Sequence, residues 1–564
     1  MKKKAKKRKK IIFFFLGLII LSILGYFLVV FLNEKSIKFN DMYIAGTSPE
    51  ITLYDLEFKE VDNIIRGTKV KVLEQDVTSE KGEEKYTKIE YQNKEYLVRK
   101  EALVDKIEDV VLEKTLYVRT PLTIYKDAES GKILSMAKKG SELEILGFDK
   151  LDENGKVNLY KIKHNDSIGY AYSKYMVSTK EEALKNYDED GIYKIHTKRT
   201  DTQGGGSATN LDFYPVEKPI FENNVMPKEV RALYLNTTVV SRVDEYIKIA
   251  KNNNINAFVV DIKDSGPTGY PSSVMKEKSP TNYKKAYNSY ETYKNAIKKL
   301  KDEGFYVIGR ISVFKDYNYV QDHPEDAILD AATGQPFKHN SSYWPSAYSR
   351  AVWEFNVELA KEAVREMGFN EIQFDYVRFP DRTYSLEKNG KIDMRNTYNE
   401  EKAQAIQGFL MYACDEIHKE GVYVSADVFG EAAHTYVTGY GQYWGAISNV
   451  VDVISAMPYP DHFNAYEYGF KEVVWTVPYE LLKFWGTNYV VKRQSEIPTP
   501  AIVRTWIQTY DTIRAPYITY DASKIEEQIR GLYNAGLDGG FMTWNAGSSL
   551  EKYKAVAPAF KKDY

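Results

Sequence analysis

The segment FNEIQFDYVRFPD, residues 369–381, raises the question that decides the fold of this chain. Its apolar residues are those of a buried β-strand, yet the run ends on Asp375 and is soon followed by Arg378. A carboxylate is costly to bury unless it is paired or used in chemistry. The segment therefore predicts a strand whose end opens into a polar site.

Similar apolar runs recur from residue 229 onward, separated by amphipathic stretches that end in Gly or Asn, as helices do. The runs are VRALYLN (230–236), INAFVVDIKD (255–264), FYVIGRISVF (305–314), EIQFDYVRFP (371–380), VYVSADVFG (422–430), VDVISAMPYP (451–460), IVRTWIQTY (502–510) and GGFMTWNAG (539–547). Strands that alternate with helices predict an α/β fold, a (β/α)8 TIM barrel over residues 227–560. A doubly wound sheet is the alternative. It requires a glycine-rich phosphate loop after the first strand, and LNTTVVS has none.

Polar side chains cluster near the carboxyl ends of these strands. They occupy the alternate positions whose side chains point into the lumen of the barrel. They are Asp261, Lys263, Arg310, Gln373, Asp375, Asp427, Trp506 and Gln508, with Glu431 beyond its strand and Trp544 on the last one. Barrel enzymes place their sites at the carboxyl ends of the strands, so this set predicts a functional site. We expect Asp375 to lie beside Arg310, Lys263 or Arg378. A structural ion pair at the top of the barrel is the alternative.

The two strand-end acids Asp375 and Asp427 suggest a reaction. Adjacent strands lie about 4.8 Å apart, close to the ~5–5.5 Å between the carboxyl groups of a retaining glycosidase. One carboxylate would attack the anomeric carbon. The other, kept protonated by burial and by its charged neighbour, would protonate the leaving oxygen. Glu431 is a second candidate for the acid, or else a solvated loop residue.

Four aromatic residues, Tyr376, Tyr459, Trp506 and Trp544, could stack on sugar rings or could simply pack against their neighbours.

The motifs FNEIQFDYVRFP, VVDIKD, SADVFG and VDVISAMPYPDHF resemble the glycoside hydrolase-type (β/α)8 domain of bacterial envelope proteins, over roughly residues 227–555. The resemblance implies that Asp375 and Asp427 are the catalytic carboxylates. It also implies pocket positions at Asp261, Lys263, Arg378, His462 and Gln508. Asp264, at the end of INAFVVDIKD, is a further candidate for substrate binding. Two positions depart from the family pattern: Asp461 stands where the family usually has a small polar residue, and Glu431 follows DVFG where the family has no fixed acid.

Residues 48–106 and 112–178 alternate apolar and polar side chains, which is typical of half-buried antiparallel strands. Gly67 matches Gly140 and Tyr96 matches Tyr170 in sequence context, which indicates a tandem duplication. The order of segments resembles bacterial Src-homology-3-like domains and so implies two small β-barrels. Such domains often hold cell-wall peptide or glycan, and a spacer is the alternative. The polar, Gly- and Ser-containing residues 179–226 predict a linker.

The N-terminus predicts a membrane anchor. Residues 1–10 are strongly basic, and residues 11–32 form an uncharged apolar run long enough to span a bilayer. No small-residue cleavage site follows the run, so we expect a signal anchor that is not cleaved. The positive-inside rule places residues 1–10 in the cytoplasm and the bulk of the chain outside.

Composition narrows the function further. Lys and Arg number 77 against 79 Asp and Glu, so nothing indicates nucleic-acid binding. The single cysteine, Cys414, allows no disulfide or thiolate zinc site, and the seven histidines show no metal-binding spacing; we expect no cofactor or metal. The sequence thus predicts a membrane-anchored extracytoplasmic glycoside hydrolase that cleaves an envelope or environmental polysaccharide. The alternative is a non-catalytic protein that binds cell-wall glycan. A hydrolase of another bond is disfavoured, because no G-x-S-x-G motif is present.

Overall fold

The computed structural model describes residues 41–79, 82, 84–187 and 204–562, together with the isolated positions 17, 21–23 and 25. The predicted basic segment and most of the predicted anchor lie outside the described residues. Within the part that is described, no helix has the length and apolar character needed to cross a membrane. The chain divides into two compact units, residues 1–116 with 143–174, and residues 117–142 with 175–564.

The first small β-repeat is an antiparallel sheet with the strand order β3-β2-β6-β5-β4-β1-β7. Its strands are β1 (Asp41–Ile44), β2 (Glu50–Tyr54), β3 (Glu60–Ile65), β4 (Lys69–Thr78), β5 (Lys85–Tyr91), β6 (Lys94–Arg99) and β7 (Leu103–Val104). The predicted alternation holds, because Val70 and Val72 of β4 are buried while Lys69 and Lys71 are exposed. The buried faces of the strands meet in one apolar cluster, which includes Leu53 and Ile89.

The second small β-repeat also has seven strands: β8 (Thr115–Val118), β9 (Leu122–Tyr125), β10 (Ile133–Ala137), β11 (Glu142–Phe148), β12 (Leu159–His164), β13 (Ser167–Tyr172) and β14 (Met176–Val177). β11 to β13 form an antiparallel meander, and β9 pairs with β10 in a hairpin. Gly67 and Gly140 both adopt positive φ, 87° and 77°, just before the fourth strand of their repeats. That backbone conformation favours glycine, which explains why the two positions match in the sequence.

A nine-stranded parallel sheet follows, in the order β25-β24-β23-β21-β17-β16-β15-β27-β26. Its strands are β15 (Val230–Leu235), β16 (Ala257–Lys263), β17 (Tyr306–Ser312), β21 (Glu371–Asp375), β23 (Tyr423–Phe429), β24 (Val453–Met457), β25 (Ile502–Val503), β26 (Thr505–Gln508) and β27 (Gly540–Trp544). The two ends of this order are separated only by Arg504, whose amide donates to the Ile454 carbonyl at 3.1 Å. The sheet therefore nearly closes into a barrel, as the eight apolar runs predicted. Two short ladders outside it pair β18 (Leu329–Asp330) with β22 (Ile392–Asp393) and β19 (Lys338–His339) with β20 (Ser342–Tyr343).

Helices occupy the connections between the barrel strands. The described helices are α1 (Lys180–Leu184), α2 (Val243–Lys251), α3 (Ser273–Lys278), α4 (Pro280–Lys284), α5 (Tyr290–Asp302), α6 (Tyr317–Asp322), α7 (Arg350–Met367), α8 (Tyr384–Lys388), α9 (Lys402–Ile417), α10 (Trp444–Val450), α11 (Pro478–Trp485), α12 (Val491–Gln494), α13 (Ala522–Tyr533) and α14 (Leu550–Val556). The sequence marks the ends of α7: the Ser349 side chain caps its first turn, and Gly368 ends it with φ of 79°.

Strand alternation separates a lumen side from a helix side. Phe374 of β21 packs edge-on against Phe409 of α9, with ring centroids 5.2 Å apart, so this parity faces the helices. Glu371 at the start of the same strand faces the lumen, where Arg504 donates to its two oxygens at 2.8 and 3.0 Å. Asp375, at the end of the strand, has the same parity. The lumen thus contains charged groups at both of its ends.

The predicted linker over residues 179–226 is packed structure from residue 204 onward. Leu211 and Phe213 join Tyr443 in an apolar cluster, and the Gly205 carbonyl accepts from the Ala403 amide at 3.0 Å. A Cβ on Gly205 would lie 2.0 Å from the carbonyl oxygen of Thr438. The glycine is therefore required for a close backbone approach, and it does not signal a flexible chain. Residues 188–203 lie outside the described part of the chain.

Candidate active site

Arg310 is the centre of the strand-end cluster and is 1% exposed. Its Nη1 donates to Asp261 Oδ1 at 2.7 Å, and its Nη2 donates to Asp375 Oδ2. The guanidinium also lies 3.5 Å from Asp264 and 3.9 Å from Asp427 Oδ2. Sheet register explains the arrangement, because β17 lies between β16 and β21 and Asp261 is level with Arg310. Asp375 is therefore paired with Arg310, the first of the three partners that the sequence suggested.

Asp427 is almost fully buried, at 1% exposure, on the strand next to Asp375. Trp506 Nε1 donates to its Oδ1 at 2.8 Å, whereas Oδ2 accepts no hydrogen bond from the described residues. Burial, and next the nearby charge of Asp375, raise the pKa of Asp427 well above its usual range. The shift therefore favours the protonated form of this carboxyl. A buried acid beside a strand-end carboxylate is the arrangement that the two-acid hypothesis requires.

Asp261 differs from Asp427 because both of its oxygens have partners. Tyr234 donates its hydroxyl to Asp261 Oδ2 at 2.5 Å, and Arg310 donates to Oδ1. Burial raises the pKa of Asp261 to about 6, although Arg310 opposes the shift. Sequence reasoning missed Tyr234. Its inward parity on β15 could have indicated it, but a tyrosine among apolar residues resembles ordinary core.

An open pocket of about 820 Å³ lies beyond the ends of β23 and β24. Glu431 lines it and accepts from the hydroxyls of Tyr436 and Tyr440, each at 2.8 Å. Half-exposed His462 also lines the pocket. A carboxylate offers about four acceptor positions, so Glu431 can accept further hydrogen bonds from a ligand. The pocket lies at the carboxyl ends of the strands, but Arg310, Asp375 and Asp427 do not line it. Its two tyrosines were not predicted from the sequence.

Lys263 does not join this site, although it was predicted to face the lumen. Its ammonium is fully buried and lies 2.7 Å from Asp316 Oδ2. The cause is a shift of register in β16: Asp261 is level with Arg310, but Lys263 is level with Ile311. One extra residue reverses the alternation and turns the side chain toward the helix layer. We therefore correct its role from substrate binding to a structural ion pair.

Arg378 and Tyr376 lie beyond the strand end. Arg378 Nη1 donates to the Phe379 carbonyl at 3.0 Å, and its guanidinium lies 4.7 Å from the Phe429 ring centre. Its ion-pair partner is Asp381, at 3.7 Å. Tyr376 leaves the strand with φ of 52° and accepts from Lys315 Nζ at 3.3 Å. Both side chains lie beyond the carboxyl end of β21 and make no hydrogen bond or ion pair with Arg310 among the described contacts.

The remaining predicted residues support the site from the last strands. Gln508 is fully buried, and its Oε1 accepts from the Asp461 amide at 3.2 Å. Asp461 in turn accepts from the Tyr510 hydroxyl at 2.9 Å. Trp544 lies with its ring centre 5.4 Å from the Arg310 guanidinium and packs against Trp506. Gln508 and Tyr510 thus hold the loop that carries Asp461, and the two tryptophans pack beside Arg310 and Asp427.

Among the described residues, one cluster has the spacing of a metal site: His323, Glu325 and Asp326. His323 Nε2 is 2.6 Å from the Lys278 carbonyl, and Asp326 accepts from Tyr319 and Ser349. These contacts occupy the side chains in a hydrogen-bond network that joins neighbouring loops.

Comparison with known proteins gives the following matches. Residues 232–550 match a family model described as "Putative glycosyl hydrolase domain". A search of curated proteins finds no match. A solved structure of a hypothetical protein from Ruminiclostridium thermocellum is 34% identical, covering 35% of this chain and 97% of that one, with a TM-score of 0.29. The PgaB (BpsB) glycoside hydrolase domain from Bordetella bronchiseptica is 11% identical, covering 60% and 100%, with a TM-score of 0.42. A GH18 chitinase from Pseudoalteromonas aurantia is 13% identical, covering 58% and 99%, with a TM-score of 0.34.

Proposed function

The chain belongs to this glycosyl hydrolase domain family, and on that premise we propose that it is a glycosidase using Asp375 and Asp427 in a retaining mechanism. The observation that carries the proposal is the pairing of two unlike carboxyl groups on adjacent strands. Asp375 is held by Arg310 at a strand end, and the pKa of Asp427 is raised well above its usual range by burial. Acid-assisted glycoside cleavage needs one carboxyl group that attacks and a second that donates a proton.

In the first step Asp375 attacks the anomeric carbon while the bond from that carbon to the leaving oxygen breaks. Asp427 transfers its proton to the leaving oxygen, which departs as an alcohol. In the second step Asp427, now a carboxylate, removes a proton from water. The water oxygen then displaces Asp375 and restores both groups, with retention at the anomeric carbon. Arg310 stays charged throughout and holds Asp261 and Asp375 in place.

The substrate we propose is a polysaccharide of the cell envelope or of the surroundings. The 820 Å³ pocket is large enough for more than one sugar ring, and Glu431 offers it acceptor oxygens. We assign Glu431 to substrate binding, because its two phenol partners hold it beyond the strand end. The N-terminal pattern of residues 1–10 and 11–32 supports anchoring in a membrane with the barrel outside.

The decisive experiment compares wild type, Asp375→Asn and the control Asp538→Asn on a panel of polysaccharides, with detection of new reducing ends. Asp538 is exposed and precedes β27, at the opposite end of that strand from the site. Asp375→Asn should lower kcat/KM by roughly a thousandfold or more while glycan binding survives, because only the covalent step is lost. Added azide should restore turnover and give an inverted product.

Three outcomes would contradict parts of this proposal. An Asp375→Asn protein that does not fold would favour a structural ion pair. A folded wild type that binds wall glycan yet releases no reducing ends would favour the binding protein. A variant that folds and keeps full activity would remove Asp375 from the mechanism.

A further inference from the structure

Tyr459 lies two residues beyond the end of β24 and is 3% exposed. Its ring is nearly parallel to that of Trp544, at 17° and with centroids 6.4 Å apart. It belongs to the same apolar cluster as Trp506, which donates to Asp427. The side chain therefore lies against the two tryptophans that flank the Arg310 and Asp427 groups.

The hydroxyl of Tyr459 is buried without a protein partner among the described residues, and so are Asp427 Oδ2 and Arg310 Nε. Such atoms destabilise a fold, and native interiors contain few of them. Arg310 Nε and Asp427 Oδ2 are 3.9 Å apart. Burial, more than the neighbouring acidic groups, raises the pKa of Tyr459 well above its usual range. Two donors, Tyr459 and Arg310 Nε, and one carboxyl oxygen of Asp427 thus lack a hydrogen-bond partner among the described residues.

We propose that the Tyr459 hydroxyl is a third catalytic group, a hydrogen-bond donor to an oxygen of the sugar bound between Asp375 and Asp427. The inference rests on the proposed glycosidase function and goes beyond the two carboxylates. Burial keeps the phenol protonated, since it raises the pKa of Tyr459 well above the usual range. The hydroxyl consequently offers a proton that neighbouring side chains do not use.

Stacking on Trp544 gives the donor a fixed direction. A phenol has one rotatable bond between its ring and its hydrogen, and the ring is held by the cluster that contains Trp506 and Met542. A donor fixed before the substrate arrives needs no reorganisation during the reaction. It would orient the ring so that the anomeric carbon faces Asp375.

The experiment compares Tyr459→Phe with a control that removes a satisfied hydroxyl, Tyr246→Phe. Tyr246 is also fully buried, but its hydroxyl donates to the Ser548 carbonyl at 2.7 Å. Each full-length variant is tested for its melting temperature, for kcat and KM on purified bacterial wall glycan cut to short oligosaccharides, and for affinity to the same oligosaccharides.

The two variants should give opposite patterns. Tyr459→Phe should melt at or above the wild-type temperature and lose about tenfold or more in kcat/KM, because a hydrogen bond to the substrate is removed and none within the protein. Tyr246→Phe should melt lower and keep kcat/KM within about twofold. Unchanged kcat/KM in Tyr459→Phe overturns the inference, as does a clear fall in its melting temperature, which would show a partner within the fold.

If the glycosidase proposal itself is wrong, the wild-type protein will release no reducing ends from the oligosaccharides. This result is distinct from a loss of activity in Tyr459→Phe alone. In that case affinity decides the inference. Weaker binding of the oligosaccharides by Tyr459→Phe, by about tenfold, would still support the hydroxyl as a sugar-binding donor. Equal affinity of Tyr459→Phe and wild type would overturn it.

Discussion

The raised pKa of Asp261 has a consequence for stability that can be measured. In the fold this pKa is about 6, against an ordinary value of 3.8, and burial is the main cause. A folded-state pKa above the unfolded value means that the native state binds the proton more tightly. The stabilising contribution is therefore fully present below pH 4 and is lost as pH rises through 6.

The size of this loss follows from the shift. A difference of about two pKa units corresponds to about 3 kcal/mol, at 1.36 kcal/mol per unit. Asp261→Asn removes the titration while keeping the shape: its amide oxygen can accept from Arg310 and its amide nitrogen can face Tyr234. The free energy of unfolding of Asp261→Asn minus that of wild type should therefore rise by about 3 kcal/mol between pH 4 and pH 7.

Urea unfolding followed by tryptophan fluorescence is the assay. All seven tryptophans, Trp344 to Trp544, lie in the barrel segment, so the signal reports that part of the chain. Titrating groups outside the Arg310 cluster contribute equally to both proteins, so the difference reports Asp261 together with the acids that share Arg310. Asp538→Asn serves as the control and should keep the wild-type dependence on pH. A variant whose stability changes with pH as steeply as that of wild type would refute the reasoning.

The remaining predictions concern the proton donor and the topology. In wild type, kcat/KM should fall as pH rises through the raised pKa of Asp427, because the protonated form is required. Asp427→Asn should lower kcat most on substrates with poor leaving groups, whereas Glu431→Gln should mainly raise KM. Both variants are measured on aryl glycosides. A large fall of kcat in Glu431→Gln alone would show that Glu431 is the acid. Protease added to intact wall-stripped cells should release a fragment that lacks the N-terminus, and full protection would contradict an external barrel.

The period of two in β-strands explains why the sequence predicted the centre of the site. Asp261, Arg310, Asp375 and Asp427 each lie on the inward parity of a regular strand, and the structure brings all four together. Alternation requires only local backbone geometry, which the sequence shows directly. The pairing of Asp375 with Arg310 needed one further fact, that β17 and β21 are neighbours, and this followed from their order in the barrel.

The same rule failed at Lys263, because a single extra residue after Asp261 reverses the parity. A β-bulge of this kind has no clear mark in the segment VVDIKD. The two tyrosines that hold Glu431 were missed for another reason. Tyr436 and Tyr440 reach Glu431 from a loop, and loop conformation depends on packing against distant segments. The glycines at 204–206 indicated flexibility in the sequence, but in the fold they permit close contact.

A count of charges connects the fold to the proposed chemistry. Three buried acids, Asp261, Asp375 and Asp427, surround one buried cation, Arg310, and the partly exposed Asp264 lies 3.5 Å from it. Full ionisation would therefore leave at least two uncompensated negative charges in the lumen. The interior resists such a charge, and protons relieve it. Asp375 and Asp261 accept hydrogen bonds from Arg310, whereas Asp427 receives only a neutral one from Trp506. The proton is therefore most firmly held on Asp427, beside the carboxylate that would form the covalent bond. One arginine shared by these acids therefore favours a protonated Asp427, the form that the proposed mechanism requires.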